Sequence, residues 1–231
     1  MKQLAHLLKF DFLLINKNKI ITVSLIVTAI YVGVFKALAA MGNIEKLLVL
    51  VIFNDPALLG FLFIGVMVLF EKNENTLEVL AVTPIKTSNY ILSKSIALTI
   101  ISLFCCYAMV IAGYGLDFNF IHFTTGTILT TFIFSMLGFV AVAGQSTFNK
   151  YILRALGIIL LLSLPFLGYF EMVPKIWFVL FPTQPAIDLY DLSFSTNPST
   201  SEILTAYLLC IIWSIVTFIW AKYAVTKNVF K

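Results

Sequence analysis

The chain has 231 residues, of which 61% are hydrophobic and only 11% are charged. Soluble proteins carry about 25% charged residues, so a soluble fold of this length could not cover so much apolar surface. A mean hydropathy of +1.02 therefore predicts that lipid surrounds most of the chain. At about 20 residues for each crossing, the length allows about five to seven transmembrane helices and excludes a separate soluble enzyme domain.

The apolar stretches predict an all-α integral membrane protein with two parts. Residues 1–18 mix leucine and phenylalanine with lysine, which is typical of an amphipathic helix in the membrane interface. Residues 19–231 form a single transmembrane domain. Its six predicted spans cover about 20–40, 56–70, 90–113, 124–143, 151–170 and 203–223.

The start of the second span is open to two interpretations. Asn54-Asp55-Pro56 is typical of a helix start, because a capping side chain precedes a residue that needs no N–H partner. In that case 47–53 is a separate outer helix. Alternatively, 47–70 is one span that is kinked at Pro56.

Three later features concern proline and glycine. Pro165 predicts a kink in the fifth span. The outer segment at about 171–200 contains four prolines, and its apolar stretch 176–181 is too short to cross, so we expect it to be partly re-entrant or to lie on the membrane. Gly138 and Gly144 predict close approach of the fourth span to another helix.

The distribution of basic residues predicts the orientation. With a cytoplasmic N-terminus, twelve of the fifteen lysine and arginine residues lie inside, and only Lys36, Lys46 and Lys175 lie outside. The positive-inside rule therefore favours six spans with both termini cytoplasmic. An odd number of spans would place the basic C-terminal end outside.

The loop at about 71–89 is the most informative segment. Thr76 can cap a short helix, Glu78 falls in its first turn, and Pro84 stops it. Leu77 and Leu80 share one face of this helix. Spacing alone leaves two possibilities open, because the helix could press into a groove on another protein or simply lie on the membrane.

This loop resembles the coupling segment of permease subunits in the type-2 exporter superfamily of ABC transporters. The matching positions are Glu71, Asn75-Thr76-Leu77-Glu78, Leu80, Thr83-Pro84 and Lys94. Three further stretches are similar to the small permeases of fluoroquinolone export: Asp55-Pro56-Ala57-Leu58-Leu59-Gly60-Phe61, Leu69-Phe70-Glu71-Lys72 and Leu180-Phe181-Pro182-Thr183-Gln184-Pro185-Ala186. One departure is Asn75, where the superfamily usually has glycine. Asparagine tolerates the left-handed conformation nearly as well.

The resemblance implies the membrane subunit of an ATP-driven exporter that moves an amphipathic cargo (a drug, a lipid or a hydrophobic peptide) across a bacterial inner membrane. The chain contains no G-x-x-x-x-G-K-[ST] loop, so ATP and Mg²⁺ are expected on a separate ATPase subunit. A second copy of the chain or a sister permease would complete the pathway. Nucleic acid is not an expected partner. The residues that the resemblance assigns to ATPase coupling are Glu71, Glu74, Thr76, Leu77, Glu78, Leu80, Thr83, Pro84 and Lys94.

Other classes receive less support from the sequence. A membrane hydrolase would need a nucleophile with a base or a set of metal ligands, and neither G-x-S-x-G nor H-E-x-x-H occurs. The cysteines lie in apolar runs away from either histidine, so no metal site or cofactor is expected in this chain. The charges that we place at span ends or in loops are Asp117, His122, Glu171, Asp188 and Asp191.

Two alternatives stay open as runners-up. One is the haem-exporter type of permease in cytochrome c maturation, which has a similar coupling loop. The other is an ion-coupled secondary carrier, which needs a charged site within the membrane for its coupling ion. The scarcity of charges deep in the predicted spans argues against the carrier.

Overall fold

A computed structural model describes residues 2–38 and 45–229 of the chain. Within these ranges the regular structure is helical and contains no strand. Ten α-helices follow one another: α1 (Lys2–Lys17), α2 (Ile20–Leu38), α3 (Glu45–Asn73), α4 (Thr76–Val82), α5 (Thr87–Gly113), α6 (Phe120–Val142), α7 (Phe148–Leu162), α8 (Pro165–Tyr169), α9 (Thr183–Phe194) and α10 (Thr200–Asn228). A 3₁₀ turn at Lys175–Phe178 precedes α9.

Six segments in the described ranges are long and apolar enough to cross a membrane, which confirms the predicted number of spans. They are α2, α3, α5, α6, α10 and the combination of α7 with α8. The predicted boundaries were too narrow at several ends. For example, the sixth span begins at Thr200, where Ser199 and Glu202 form a capping box.

The second span is one continuous helix, because α3 runs from Glu45 to Asn73 with Pro56 inside it. The proposal of a separate helix at 47–53 is therefore wrong, and the alternative of one span over 47–70 is confirmed, while the kink at Pro56 stays a prediction. Pro56 has no N–H to donate to the carbonyl of Ile52. The Cys106 thiol on α5 donates to that carbonyl instead, with an Sγ–O distance of 3.7 Å. A neighbouring helix thus satisfies the acceptor that proline leaves free in lipid.

Helices α3 and α6 pack with their backbones in close approach. A Cβ built on Gly138 would lie 2.6 Å from the Phe61 carbonyl oxygen, and one on Gly60 would lie 2.7 Å from the Thr131 carbonyl oxygen. The hydroxyl of Tyr151 on α7 donates to the Phe61 carbonyl at 2.7 Å. The prediction that Gly138 allows close approach of the fourth span to another helix is confirmed. Gly144 instead adopts a positive φ of 78° in the turn after α6, so it serves the turn and not helix packing.

The fifth span breaks at the predicted proline. Helix α7 ends at Leu162 and α8 begins at Pro165. The outer segment then forms α9, a helix that the sequence analysis did not predict. Its Ile187, Leu189 and Tyr190 side chains are fully buried. The 3₁₀ turn before α9 carries exposed apolar side chains, and its expected insertion into the membrane stays a prediction.

Different contacts hold the two ends of the bundle. At one end lie α1, α4 and the end of α10: Gln3 donates to the Pro84 carbonyl, and the Thr226 hydroxyl donates to that of Thr87. At the other end, Lys46 pairs with the exposed Glu171 at 2.6 Å, which lowers the pKa of that carboxyl group. The predicted arrangement of α4 with both terminal helices at one end agrees with these contacts.

We expect Gly138→Ala to lower the free energy of unfolding by about 1–3 kcal/mol, because the added methyl group would force α3 and α6 apart. The matched control is Gly33→Ala, since a Cβ at Gly33 in α2 meets nothing within 4 Å. Thermal unfolding in detergent would compare the two variants. Equal midpoints would contradict the close approach of α3 and α6.

Candidate functional site

The short helix α4 is held between two turns at one end of the bundle. Asn75 precedes it with φ 56° and ψ 14°, the left-handed conformation that glycine would otherwise supply. Thr76 is the first helical residue and not the cap, and no side chain caps the helix. The predicted capping role of Thr76 is therefore wrong. At the other end, the Thr83 hydroxyl donates to the Leu80 carbonyl at 2.7 Å just before Pro84.

The apolar face of α4 packs onto its own chain. Leu77 is buried in the core cluster, and Leu80 is partly buried against it. Val79 points the other way, with 61% of its surface exposed. The side chain of Glu78 lies outside the described part of the structure. Among the side chains of α4 that the structure describes, Val79 is therefore the apolar one available to another molecule, whereas Leu77 anchors the helix.

Where α3 leads into the α4 loop and α5 leads out of it lies a cluster of buried charged groups, which we call the Lys94 cluster. It consists of Lys94 and Tyr90 on α5, Glu71 on α3 and Asp11 on α1. The Lys94 ammonium donates to Asp11 Oδ1 at 2.6 Å and to Glu71 Oε1 at 2.5 Å. The Tyr90 hydroxyl donates to Glu71 Oε2 at 2.6 Å. These contacts join three helices at the base of the α4 loop.

The Lys94 cluster is closed to solvent in this chain. The exposed fractions of the side chains are 0% for Lys94, 1% for Glu71 and 3% for Asp11. Removing these charges from water costs several kcal/mol for each ion, and only close ion pairs with further hydrogen bonds offset that cost. The three partners are therefore strongly interdependent. One cation serves two carboxylates, and Asp11 Oδ2 is buried without a hydrogen-bond partner.

A second set of contacts attaches α1 to both sides of the α4 loop. Lys17 pairs with Glu74 at 2.8 Å on the side before α4. On the side after it, Gln3 donates to the Pro84 carbonyl at 3.0 Å and accepts from the Asn89 amide at 2.5 Å. Helix α1 thus lies along the α4 loop and contacts it on both sides of α4.

The sequence analysis found part of this site. It grouped Glu71 and Lys94 with α4, and the structure brings them together at the base of the α4 loop. Both are buried and bound to each other, so they face the chain and not an outside partner. Glu74, Thr83 and Pro84 are exposed. Asp11 and Tyr90 were missed, although Asp11 is the one acidic residue among the lysines of the first 19 positions.

We expect Lys94→Met to lower the free energy of unfolding by about 3–5 kcal/mol, because it leaves two carboxylates buried without their cation. The matched control is Lys17→Met, which removes the same group from the exposed Glu74 pair and should change stability by about 0–1 kcal/mol. Denaturant unfolding of both variants in detergent measures the difference. Similar losses of stability in the two variants would show that burial of the Lys94 cluster does not increase its contribution to the free energy of unfolding.

Known proteins include relatives of this chain. The sequence profile of the Fluoroquinolones export permease protein family matches residues 2–231. Two relatives, from the CDC 1551 / Oshkosh and H37Rv strains of Mycobacterium tuberculosis, are each described as a fluoroquinolones export permease protein and are 28% identical to this chain over 145 residues. Those residues are 62% of this chain and 61% of each relative, so the matched part covers less than two thirds of the relatives' length.

The profile match spans almost the whole chain, including α1, the α4 loop and all six apolar crossings. Its extent agrees with the resemblance that the coupling motif and the proline-rich outer segment indicated. The chain therefore belongs to the Fluoroquinolones export permease protein family, and it is a multi-pass membrane protein.

Proposed function

We propose that the chain is the membrane subunit of an ATP-driven exporter that moves an amphipathic cargo outward. The ATPase is a separate chain that binds ATP and Mg²⁺ and contacts the end of the bundle that carries α4. The observation that carries the proposal is the construction of α4, which has an exposed Val79 on one face and a Leu77 buried in the core on the other. A helix built in this way can transmit a displacement from a bound subunit to the membrane spans.

The proposed coupling step follows from how the α4 loop is attached. Closure of the ATPase dimer displaces α4 through Val79 and the neighbouring exposed positions. The buried ion pairs of Lys94 join α5 to α3 and α1, so these three helices move together at this end. Helix α10 contributes no side chain to this cluster, and its hydrogen bond to the start of α5 joins two exposed hydroxyls. The second and third spans, α3 and α5, therefore shift relative to the other spans and open the pathway to the other side.

The proposed orientation places the α4 end in the cytoplasm of a bacterial cell, at the inner membrane, with both termini inside. The support is the count of basic residues that the sequence assigns to the two predicted sides, twelve inside against three outside. A second copy of the chain, or a sister permease, would supply the other half of the pathway. The exposed apolar side chains of α2 and α10 are suited to lipid or to such a subunit.

The two runners-up differ in support. The haem-exporter type gains nothing from the comparisons, since the relatives are described as permeases of fluoroquinolone export. The ion-coupled carrier gains one observation, because Asp55 lies buried within α3 and buried intramembrane carboxylates often bind coupling ions. Transport that persists without ATP and stops when the ion gradient is dissipated would favour the carrier.

We expect Val79→Asp to reduce co-purification of the ATPase by at least about tenfold, because a charge on the exposed face must be desolvated on docking. The matched control is Leu116→Asp, which places the same charge on an exposed leucine in the α5–α6 loop at the other end. Affinity purification of the tagged full chain from its native host, with quantification of nucleotide-binding subunits, measures the effect.

Two results would contradict this proposal. One is the absence of any ATPase from the purified wild-type complex. The other is an equal loss of ATPase in the Val79→Asp and Leu116→Asp variants, since this would show a general effect of the added charge. Size-exclusion profiles of both variants confirm that each chain is folded.

A further inference from the structure

One carboxylate within the membrane has no role in the architecture described so far. Asp55 lies on α3 about 14 Å along the helix from Lys46, which places it deep within the apolar part of this span. It is only 5% exposed, and its Oδ2 atom is buried without a hydrogen-bond partner. None of the ion pairs found among the described residues includes it.

Asp55 lines a cavity of about 170 Å³ between α2 and α3. The walls are mainly apolar, and Leu62 and Val27 are only partly buried, so the cavity reaches the outer surface of the bundle. Two further polar side chains reach it, Ser24 and Tyr31. Ser24 already donates its hydroxyl to the Ile20 carbonyl at 2.9 Å, so it does not neutralise the carboxylate.

The composition of this cavity selects among the possible ligands. An isolated carboxylate in apolar surroundings requires a cation or a proton. A divalent metal ion needs about six oxygen ligands, and the side chains of this lining supply Asp55 and two hydroxyl groups. The volume is close to that of the apolar cavities of about 150 Å³ that bind benzene. Tyr31 and Phe63 add aromatic faces, which attract organic cations.

We propose that Asp55 and this cavity bind the positively charged head of an organic amine, with the attached ring or short apolar chain against Leu58, Leu62 and Val27. The ligand would reach the site from the lipid, through the side of the bundle between α2 and α3. This inference rests on the proposed function only in treating the bound amine as cargo. Binding itself requires neither ATP nor a second subunit.

The test uses a pair of probes that differ in charge and share a shape. Benzyltrimethylammonium is the cation, and neopentylbenzene is its neutral isostere. Binding of each radiolabelled probe to the purified full chain in nanodiscs is measured for the wild type and for Asp55→Asn. We expect Asp55→Asn to weaken cation binding by at least about tenfold, which corresponds to about 1.4 kcal/mol, and to leave neopentylbenzene binding unchanged.

Two variants locate the effect. Val27→Phe fills the cavity and should weaken binding of both probes. Asp117→Asn removes an exposed carboxylate from the α5–α6 loop and should change neither. Unchanged binding of neopentylbenzene to Asp55→Asn shows that this variant is folded, so a loss of cation binding then reports the charge.

Three results would overturn the inference. They are no cation binding by the folded wild type, equal cation affinity in the wild type and Asp55→Asn, and cation binding that Val27→Phe leaves intact. The first of these combined with proton release on raising the pH, lost in Asp55→Asn, would assign the carboxylate to a proton. Failure here is distinct from failure of the exporter proposal, because ATPase co-purification is measured separately and does not depend on this cavity.

Discussion

The ion pairs of Lys94 with Asp11 and Glu71 are the constraint on which the functional end of this protein depends. A buried cation between two buried carboxylates is stable only while all three helices that carry them remain in place. Helix α1 is therefore part of the bundle and not a loose anchor on the membrane surface. The α4 loop rests on this base, and its two sides are attached to α1 by exposed contacts that break more easily.

The same rule explains other details of the bundle. In lipid every backbone and side-chain polar group needs an internal partner. The carbonyl that Pro56 leaves free is satisfied by the Cys106 thiol, and the Phe61 carbonyl accepts a second bond from Tyr151. The buried carboxylate of Asp55 differs from those of Asp11 and Glu71, because no ion pair among the described residues includes it. It is the reason why we assign a ligand to the cavity beside it.

The sequence predicted the number of spans, the helical character of α1 and the position of α4, because these depend on local composition and turn chemistry. Helix α9 was missed because four prolines and a mixed composition concealed a helix that tertiary burial stabilises. The importance of Asp55 was missed because Asn54-Asp55-Pro56 is also a helix-start pattern. Whether the chain starts a new helix there or continues the span depends on whether α5 supplies a donor for the Ile52 carbonyl. The pairing of Asp11 with Lys94 joins positions 83 residues apart, which local patterns do not reveal.

The central claim of the proposed mechanism is that α1, α3 and α5 move as one body when the proposed ATPase partner acts. Double electron–electron resonance measures this directly on spin labels at the exposed positions Lys9, Asn73 and Lys222, which leave the proposed contact residue Val79 intact. A chain labelled at Lys9 and Asn73 should keep one distance with and without ATP in the assembled complex. A chain labelled at Lys222 and Asn73 should show a distance that changes with ATP. A change between Lys9 and Asn73 with a fixed Lys222–Asn73 distance would contradict the account.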